Sequence, residues 1–358
     1  MIKIFKLQPL AVLALGIGLM RCNNTPASQT ANNSTTTTQQ TSTTQTQETA
    51  VNPPLVVATT SVLCDITQQI ARDKIDLKCL VDAGEDPHVY QPKPEDRKAI
   101  ESAKLILYAG YNFDSSLIKL VKATSNPAAK VAVHEAAVPK PILGETHDHN
   151  HDHATTSQDD KNTAENNRTE SQKEPDPHVW QDAENGINMV NVIADSLAKL
   201  EPNNKTLYET NARNLKKELT EIDNWIKTQI ATIPEDKRKL VTTHDALGYY
   251  VNAYGLSYEG ALQGLSTDEA PTAQRVSELV GEIKKAGVPT IFAETTVNPK
   301  LIETVAKEAN VKVSERDLYA DGLGEKASTG ESYQKMLMAN TQTIVEGLGG
   351  KYTPFAPK

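Results

Sequence analysis

Eight histidines are the side chains best equipped for chemistry in this chain, and their spacing sorts them into two groups. Imidazole titrates near neutrality and is the commonest protein ligand for transition metals. Four of the eight, His147, His149, His151 and His153, alternate with polar residues in HDHNHDH, beside Asp148 and Asp152. That composition suits a metal-collecting loop, or simply a polar one. Its donors are not preorganised, so any ion held there would be held weakly. An expression tag would be terminal and more uniform.

The other four stand apart. His88 lies in AGEDPHVYQPKP, His134 in KVAVHE, His178 in PDPHVWQD and His244 in VTTHDALGYY. The tripeptide Asp-Pro-His occurs twice, at Asp86–His88 and Asp176–His178. Proline fixes the local backbone, and the aspartate can accept the imidazole N–H that faces away from a metal. Taken singly, each histidine fits a structural role. Together, three of them converging from both halves of the chain fit a shared metal site, and the repeated Asp-Pro-His adds weight to His88 and His178.

The elements that would position these residues follow from short apolar runs alternating with helical periodicity. Leu55–Thr60, Ile75–Val81, Lys104–Gly110 and Lys130–Glu135 read as strands, separated by helices at Val62–Ala71, Pro94–Ser102 and Ser115–Ala123. The rhythm returns with strands at Lys239–Asp245, Leu256–Leu262, Pro289–Thr296 and Val311–Asp317, and helices at Thr272–Ala286, Pro299–Ala309 and Ser332–Leu348. Alternation of this kind implies an α/β fold: two lobes, each with a mostly parallel sheet flanked by helices. Between them, residues 203–232 lack internal Gly and repeat apolar residues at helical spacing, which predicts one long rigid connecting helix. The expected divisions are therefore an N-terminal lobe at 55–202, the connecting helix at 203–232 and a C-terminal lobe at 233–358. In open parallel sheets ligands gather beyond the carboxyl ends of the strands, where these histidines fall. Residues 144–177 contain no large aliphatic or aromatic side chain and are expected to form a mobile loop.

The front of the chain has a different character. Lys3 and Lys6 precede the apolar run Pro9–Met20, too short to span a bilayer, as in an export signal covering 1–22. Cys22 is a candidate lipidation site, although Arg21 occupies a position where a lipoprotein signal carries a small residue. Residues 23–54 are dominated by Thr, Gln, Asn and Ser, which predicts a disordered tether. The expected location is outside the cytoplasm, in the periplasm or on the outer face of the cytoplasmic membrane.

Composition removes other classes. A net charge of -9 advertises no surface for nucleic acid, and 5% aromatic residues offer few stacking platforms. Three cysteines cannot make a disulfide scaffold or a four-cysteine zinc module. A secreted zinc hydrolase would need a general base beside an open metal position. H-E-x-x-H is absent, and Asp245, the acid that follows His244, reads as a cap or an outer hydrogen-bond partner. An adhesin or metal buffer built around the histidine-rich loop is the remaining competitor. No enzyme activity is expected.

In order along the chain, GEDPHVYQPKPED, DPHVWQD, THDALGYYVNAYGLSYEGALQGLSTDEAPT and LYADGLGE resemble the solute-binding proteins of bacterial zinc/manganese ABC transporters. The resemblance spans about Leu55 to Phe355 and is nearest to the zinc-binding members, which carry an acidic histidine-rich loop. It implies two α/β lobes joined by a long helix, an interlobe metal site, and delivery of the metal to an ABC permease in the membrane by a monomeric protein. His88, His178 and His244 match three ligand positions of the family, and Asp321, in LYADGLG, matches the fourth, a carboxylate. Manganese-specific relatives usually place Glu where His244 stands. Three imidazoles and one carboxylate can close a tetrahedral site, which favours Zn2+ as the transported ligand, whereas Mn2+ prefers more oxygen donors. Manganese, or both metals, remains the alternative cargo.

Cys64 sits near the start of the first predicted helix and Cys79 on the second predicted strand. Helix-on-sheet packing could bring them within disulfide reach in an oxidising compartment. Two small buried hydrophobes on facing surfaces are the other reading.

Overall fold

A computed structural model describes residues 52–145 and 173–357. The proposed export signal, Cys22, all but the end of the tether and the histidines 147, 149, 151 and 153 lie outside the described residues.

The first half is built on a four-stranded, all-parallel sheet. In chain order it contains β1 (Leu55–Ala58), α1 (Ser61–Ala71), β2 (Asp76–Cys79), α2 (Pro94–Ser102), β3 (Leu105–Tyr108), α3 (Ser115–Ala123), β4 (Ala129–Ala132) and the short α4 (Val133–Ala137). The strand order is β2-β1-β3-β4. The central strands β1 and β3 are buried almost continuously, as a sheet covered on both faces requires, and successive side chains point to opposite faces. Val56, Ala58, Leu105 and Leu107 face the core containing α1, while Val57 and Ile106 face Ile100, Leu117 and Val121 of α2 and α3. Thr60 starts α1 by accepting a hydrogen bond from Leu63 N through its side chain, and Pro94 opens α2 at a position where no N–H is needed.

A two-stranded antiparallel hairpin, β5 (Leu143–Glu145) with β6 (Lys173–Pro175), follows. Then come α5 (Ala183–Leu200) and α6 (Lys205–Ile230), whose 26 residues correspond to about 39 Å. The second half contains β7 (Lys239–His244), α7 (Gly248–Tyr254), β8 (Ser257–Gln263), α8 (Ala273–Ala286), β9 (Thr290–Ile291), α9 (Lys300–Ala309), β10 (Lys312–Val313) and α10 (Tyr333–Gly347). β7 pairs with β8 and β9 with β10, both in parallel. Phe292 N donates to Val241 O at 3.0 Å and ties the two pairs together.

The long helix braces both halves. Asn211 of α6 donates to Ile70 O at the end of α1 (2.9 Å), and Glu218 accepts from Gln334 of α10 (3.0 Å). Its buried Leu215, Leu219, Ile222, Ile226 and Ile230 join one apolar core with Val56 and Leu63 of the first half and Leu240, Phe292 and Tyr333 of the second. A separate core under α8 and α9 covers the opposite face of the second sheet, where Val241 and Ile291 point.

Four sequence expectations need revision. His134 does not close a strand; it lies in the first turn of α4, with its N–H donating to Ala109 O at 2.9 Å. The segment expected to be loop from residue 144 to 177 is pinned at both ends by the β5–β6 hairpin, and Asp176 beyond it is 2% exposed. α5 and α7, unread in the sequence, are regular helices. β9 and β10 are two-residue strands, much shorter than the apolar runs around them.

Candidate metal centre

Four segments deliver side chains to one buried point. His88 comes from the loop after β2, His178 precedes the 3-10 turn Val179–Gln181, His244 is the last residue of β7, and Asp321 follows the strand-like bridge between Glu294 and Leu318. Their donor atoms all lie within 4.8 Å of one another, and all four residues are buried. Asp321 Oδ1 lies 3.4 Å from His88 Nε2, 3.4 Å from His178 Nε2 and 3.1 Å from His244 Nε2. The Nε2 atoms of His88 and His178 are 3.4 Å apart.

These separations fit an ion. With bonds of about 2.0 Å, adjacent corners of a tetrahedron are about 3.3 Å apart. Three Nε2 atoms and one carboxylate oxygen facing a common centre form the donor set of a closed four-ligand site.

The second oxygens and nitrogens are also engaged. Asp176 Oδ1 accepts from the backbone N–H of His178 at 2.9 Å and lies 2.8 Å from its ring Nδ1. The first Asp-Pro-His repeats only half of this pattern: Asp86 Oδ1 accepts from His88 N at 2.9 Å, while Asp86 Oδ2 accepts from Thr267 Oγ1 at 2.6 Å. Glu294 holds His244: Oε1 accepts from Thr243 N (2.9 Å) and His244 N (3.0 Å), and Oε2 meets ring Nδ1. Thr296 Oγ1 donates to Asp321 Oδ2 at 3.2 Å.

Electrostatics are consistent with a cation at the centre. Burial alone would push the rings of His178 and His244 down. The carboxylates of Asp176 and Asp321 overcome this at His178, and those of Asp321 and Glu294 overcome it at His244, so both rings are held above the ordinary imidazole range. Burial would likewise raise Asp321, but charge on His244 and His88 holds it well below the usual carboxylate range. Asp245 is pushed up to about 6, first by burial and then by Asp176.

An aromatic wall backs the site. Phe113 meets His88 edge-on at 4.8 Å and packs against Trp180 at 4.7 Å. The turn delivering Phe113 is tight: Gly110, Tyr111 and Asn112 all have positive φ, at 98°, 48° and 61°. A Cβ on Gly110 would approach Glu135 to 2.9 Å, so glycine is required there on both counts. His134 sits behind this wall, fully buried, 5.3 Å from Trp180, with its pKa lowered to about 3 by burial and by His178. It stays neutral and outside the four-residue cluster. A cleft of about 320 Å³ opens beside His88, walled by Phe113, Glu174, Leu265 and Asp268.

Glu294, Thr267 and Phe113 went unnoticed in the sequence. The one local signal for Glu294 is an acid at the end of an otherwise apolar strand, in FAETT.

Comparison with known proteins gives the family. The profile of the family described as zinc-uptake complex component A, periplasmic, matches residues 56–347. The chain belongs to this family. Members of the zinc-uptake family are solute-binding transport proteins rather than enzymes. The manganese ABC transporter substrate-binding lipoprotein PsaA of Streptococcus mitis is 33% identical over 300 residues, covering 82% of this chain and 88% of the relative. The manganese ABC transporter substrate-binding lipoprotein scaA of Streptococcus gordonii is 34% identical over 293 residues, with the same coverages. Among solved structures, the periplasmic zinc binding protein TroA from Treponema pallidum superposes with a TM-score of 0.71 at 27% identity, covering 83% of this chain and 99% of that one. The Mn-bound periplasmic metal binding protein from Candidatus Liberibacter asiaticus gives a TM-score of 0.67 at 26% identity, covering 82% and 99%. Among the described residues, no helix is long and apolar enough to cross a membrane.

Proposed function

We propose that this protein captures a divalent metal ion outside the cytoplasm, with zinc as its preferred cargo, and hands it to the membrane permease of an ABC importer. His88, His178, His244 and Asp321 are the proposed ligands. The observation that carries the reading is the convergence of three Nε2 atoms on one carboxylate oxygen in a buried centre. Nitrogen donors outnumber oxygen three to one, and the Irving–Williams order places zinc above manganese on such a set. A four-ligand shell also leaves no position for a reacting water, which suits a carrier better than a hydrolase.

Delivery requires that the shell open. His88 and His178 come from the first half of the chain, and His244 and Asp321 from the second, so relative movement of the two halves would part the ligands in pairs. The lobe divisions at 55–202, 203–232 and 233–358 belong to this proposal, with α6 as the brace. The resident location is the periplasm or the outer face of the cytoplasmic membrane.

Manganese is a second reading because the relatives include lipoproteins named for manganese and a Mn-bound structure. Competition in metal-buffered solution decides between them. Zinc is expected to displace manganese at equal free concentration, and the reverse order would overturn the zinc preference.

A further inference from the structure

Glu294 belongs to none of the sequence motifs, is only 2% exposed, and spends both of its oxygens on one stretch of β7. We infer that Glu294 is a positioning residue that keeps the Nε2 atom of His244 bare for the metal; this rests on the metal-site reading above.

The reasoning is a count of donors and acceptors. A carboxylate offers only acceptors. Three donors face it: the N–H groups of Thr243 and His244 on Oε1, and the ring Nδ1 of His244 on Oε2. With an acceptor opposite, Nδ1 must carry hydrogen. An imidazole with one proton then has its lone pair on Nε2, the atom 3.1 Å from Asp321 Oδ1 and turned to the centre of the cluster. The two backbone hydrogen bonds hold Oε1, which leaves Oε2 to meet the ring. Glu294 pairs with Leu318 across a parallel bridge, and Asp321 follows three residues later, so the same strand edge places the orienting acid and the carboxylate ligand.

Glutamine in this position is nearly isosteric and chemically opposite. Its single carbonyl oxygen would be claimed by the two fixed backbone N–H groups, turning the NH2 toward Nδ1. That nitrogen would then have to accept, and the ring proton would move to Nε2, where it blocks the metal. An acid acting only as a tie between β7 and the segment after β9 would impose no such tautomer.

Glu294→Gln and Glu294→Asp, each alone and combined with His244→Ala, provide the test, with zinc as the probe. Calorimetry is expected to show a 10–100-fold loss for Glu294→Gln, the range seen when the outer partner of a ligating histidine is lost. Glu294→Asp, which retains an acceptor-only group, should recover most of the affinity. In the His244→Ala background, Glu294→Gln should add no further loss, because the residue acts through that ring. Nitrogen-15 NMR of the metal-free protein, at a pH where the ring holds one proton, should show that proton on Nδ1 in the parent and on Nε2 in Glu294→Gln. The inference falls if Glu294→Gln binds zinc like the parent, if Asp is as poor as Gln, or if the loss persists without His244. Unchanged affinity in His244→Ala alone would instead overturn the metal-site reading.

Discussion

Thr267 and Asp86, 181 positions apart in sequence, are joined at the rim of the metal centre by a hydrogen bond of 2.6 Å from Thr267 Oγ1 to Asp86 Oδ2. Asp86 passes the contact on, since its other oxygen accepts from the backbone N–H of His88. The loop around Thr267 is itself held by Gln263, whose side chain donates to Thr267 O (3.1 Å) and Glu269 O (2.7 Å). A ligand from the first half of the chain is thereby latched to a loop from the second. Thr267→Val keeps the shape and removes the donor. A hydrogen bond to a charged acceptor contributes about 1.5–3 kcal/mol, so metal release should accelerate by about tenfold or more. Stopped-flow transfer of zinc to a chelator measures it, and an unchanged release rate would mean that this contact is not part of the latch.

The hairpin defines a clean way to separate the two groups of histidines. Glu145 and Lys173 are register partners at the end of an antiparallel pair, close enough for a two-residue Asn-Gly turn to join them. A protein in which residues 146–172 are replaced by Asn-Gly keeps β5, β6 and Asp176. It is expected to bind one zinc ion tightly, with a calorimetric stoichiometry of 1:1, and to lose any additional weak sites. Loss of the tight site would place the primary ion on the removed segment.

Much of this architecture was legible because local signals and tertiary packing agree. α2 and α3 run over the residues their periodicity and capping imply, and α6 lacks any breaker until its end. The strands of the first sheet were legible because alternate residues feed two different cores. α5 was hidden by its first turns, where Asn185, Gly186 and Asn188 dilute the helical signal. Gly186 is there for packing: a Cβ would lie 2.2 Å from the hydroxyl of Tyr333 in α10, a contact invisible from the local sequence. The His134 segment looked like a strand because KVAVH alternates correctly, yet the backbone turns helical as soon as the N–H of His134 has completed the ladder to Ala109. The site divides similarly. Asp-Pro-His and Thr-His-Asp mark their histidines locally. Glu294 meets Thr243 and His244 only after strands 50 residues apart have come together.

Acid should weaken metal binding. The rings of His178 and His244 are held above the ordinary imidazole range in the metal-free protein, so binding must expel protons. Those raised values favour the metal-free fold fully below the unfolded imidazole pKa, and that contribution is lost as pH rises through the folded values. Affinity for zinc therefore rises with pH up to those same folded values and then levels off. Calorimetry in buffers of different ionisation enthalpy should register proton release at neutral pH. Release that stays at zero would mean that both rings are already unprotonated before the metal arrives.

The disulfide makes a prediction about stability rather than affinity. Cys64 of α1 and Cys79 of β2 are bonded, with Cα atoms 5.8 Å apart and a separation of 15 positions in sequence. Closing a loop of that size restricts the unfolded chain by about 3 kcal/mol in the chain-entropy model. Both cysteines pack against the apolar core, so replacing them with alanine also removes some buried surface. Cys64→Ala/Cys79→Ala should thus lower the unfolding free energy by about 3 kcal/mol or slightly more. Neither residue touches the four proposed ligands, and β2 is already anchored beyond Cys79 by the N–H groups of Leu80 and Val81 donating to Ala58 O and Thr59 O at 3.1 Å. Zinc affinity of the folded double variant should therefore stay within a few-fold of the parent. Denaturant titration with and without zinc separates the two quantities. A large loss of affinity at unchanged stability would show that the bridge serves the His88 loop rather than the fold.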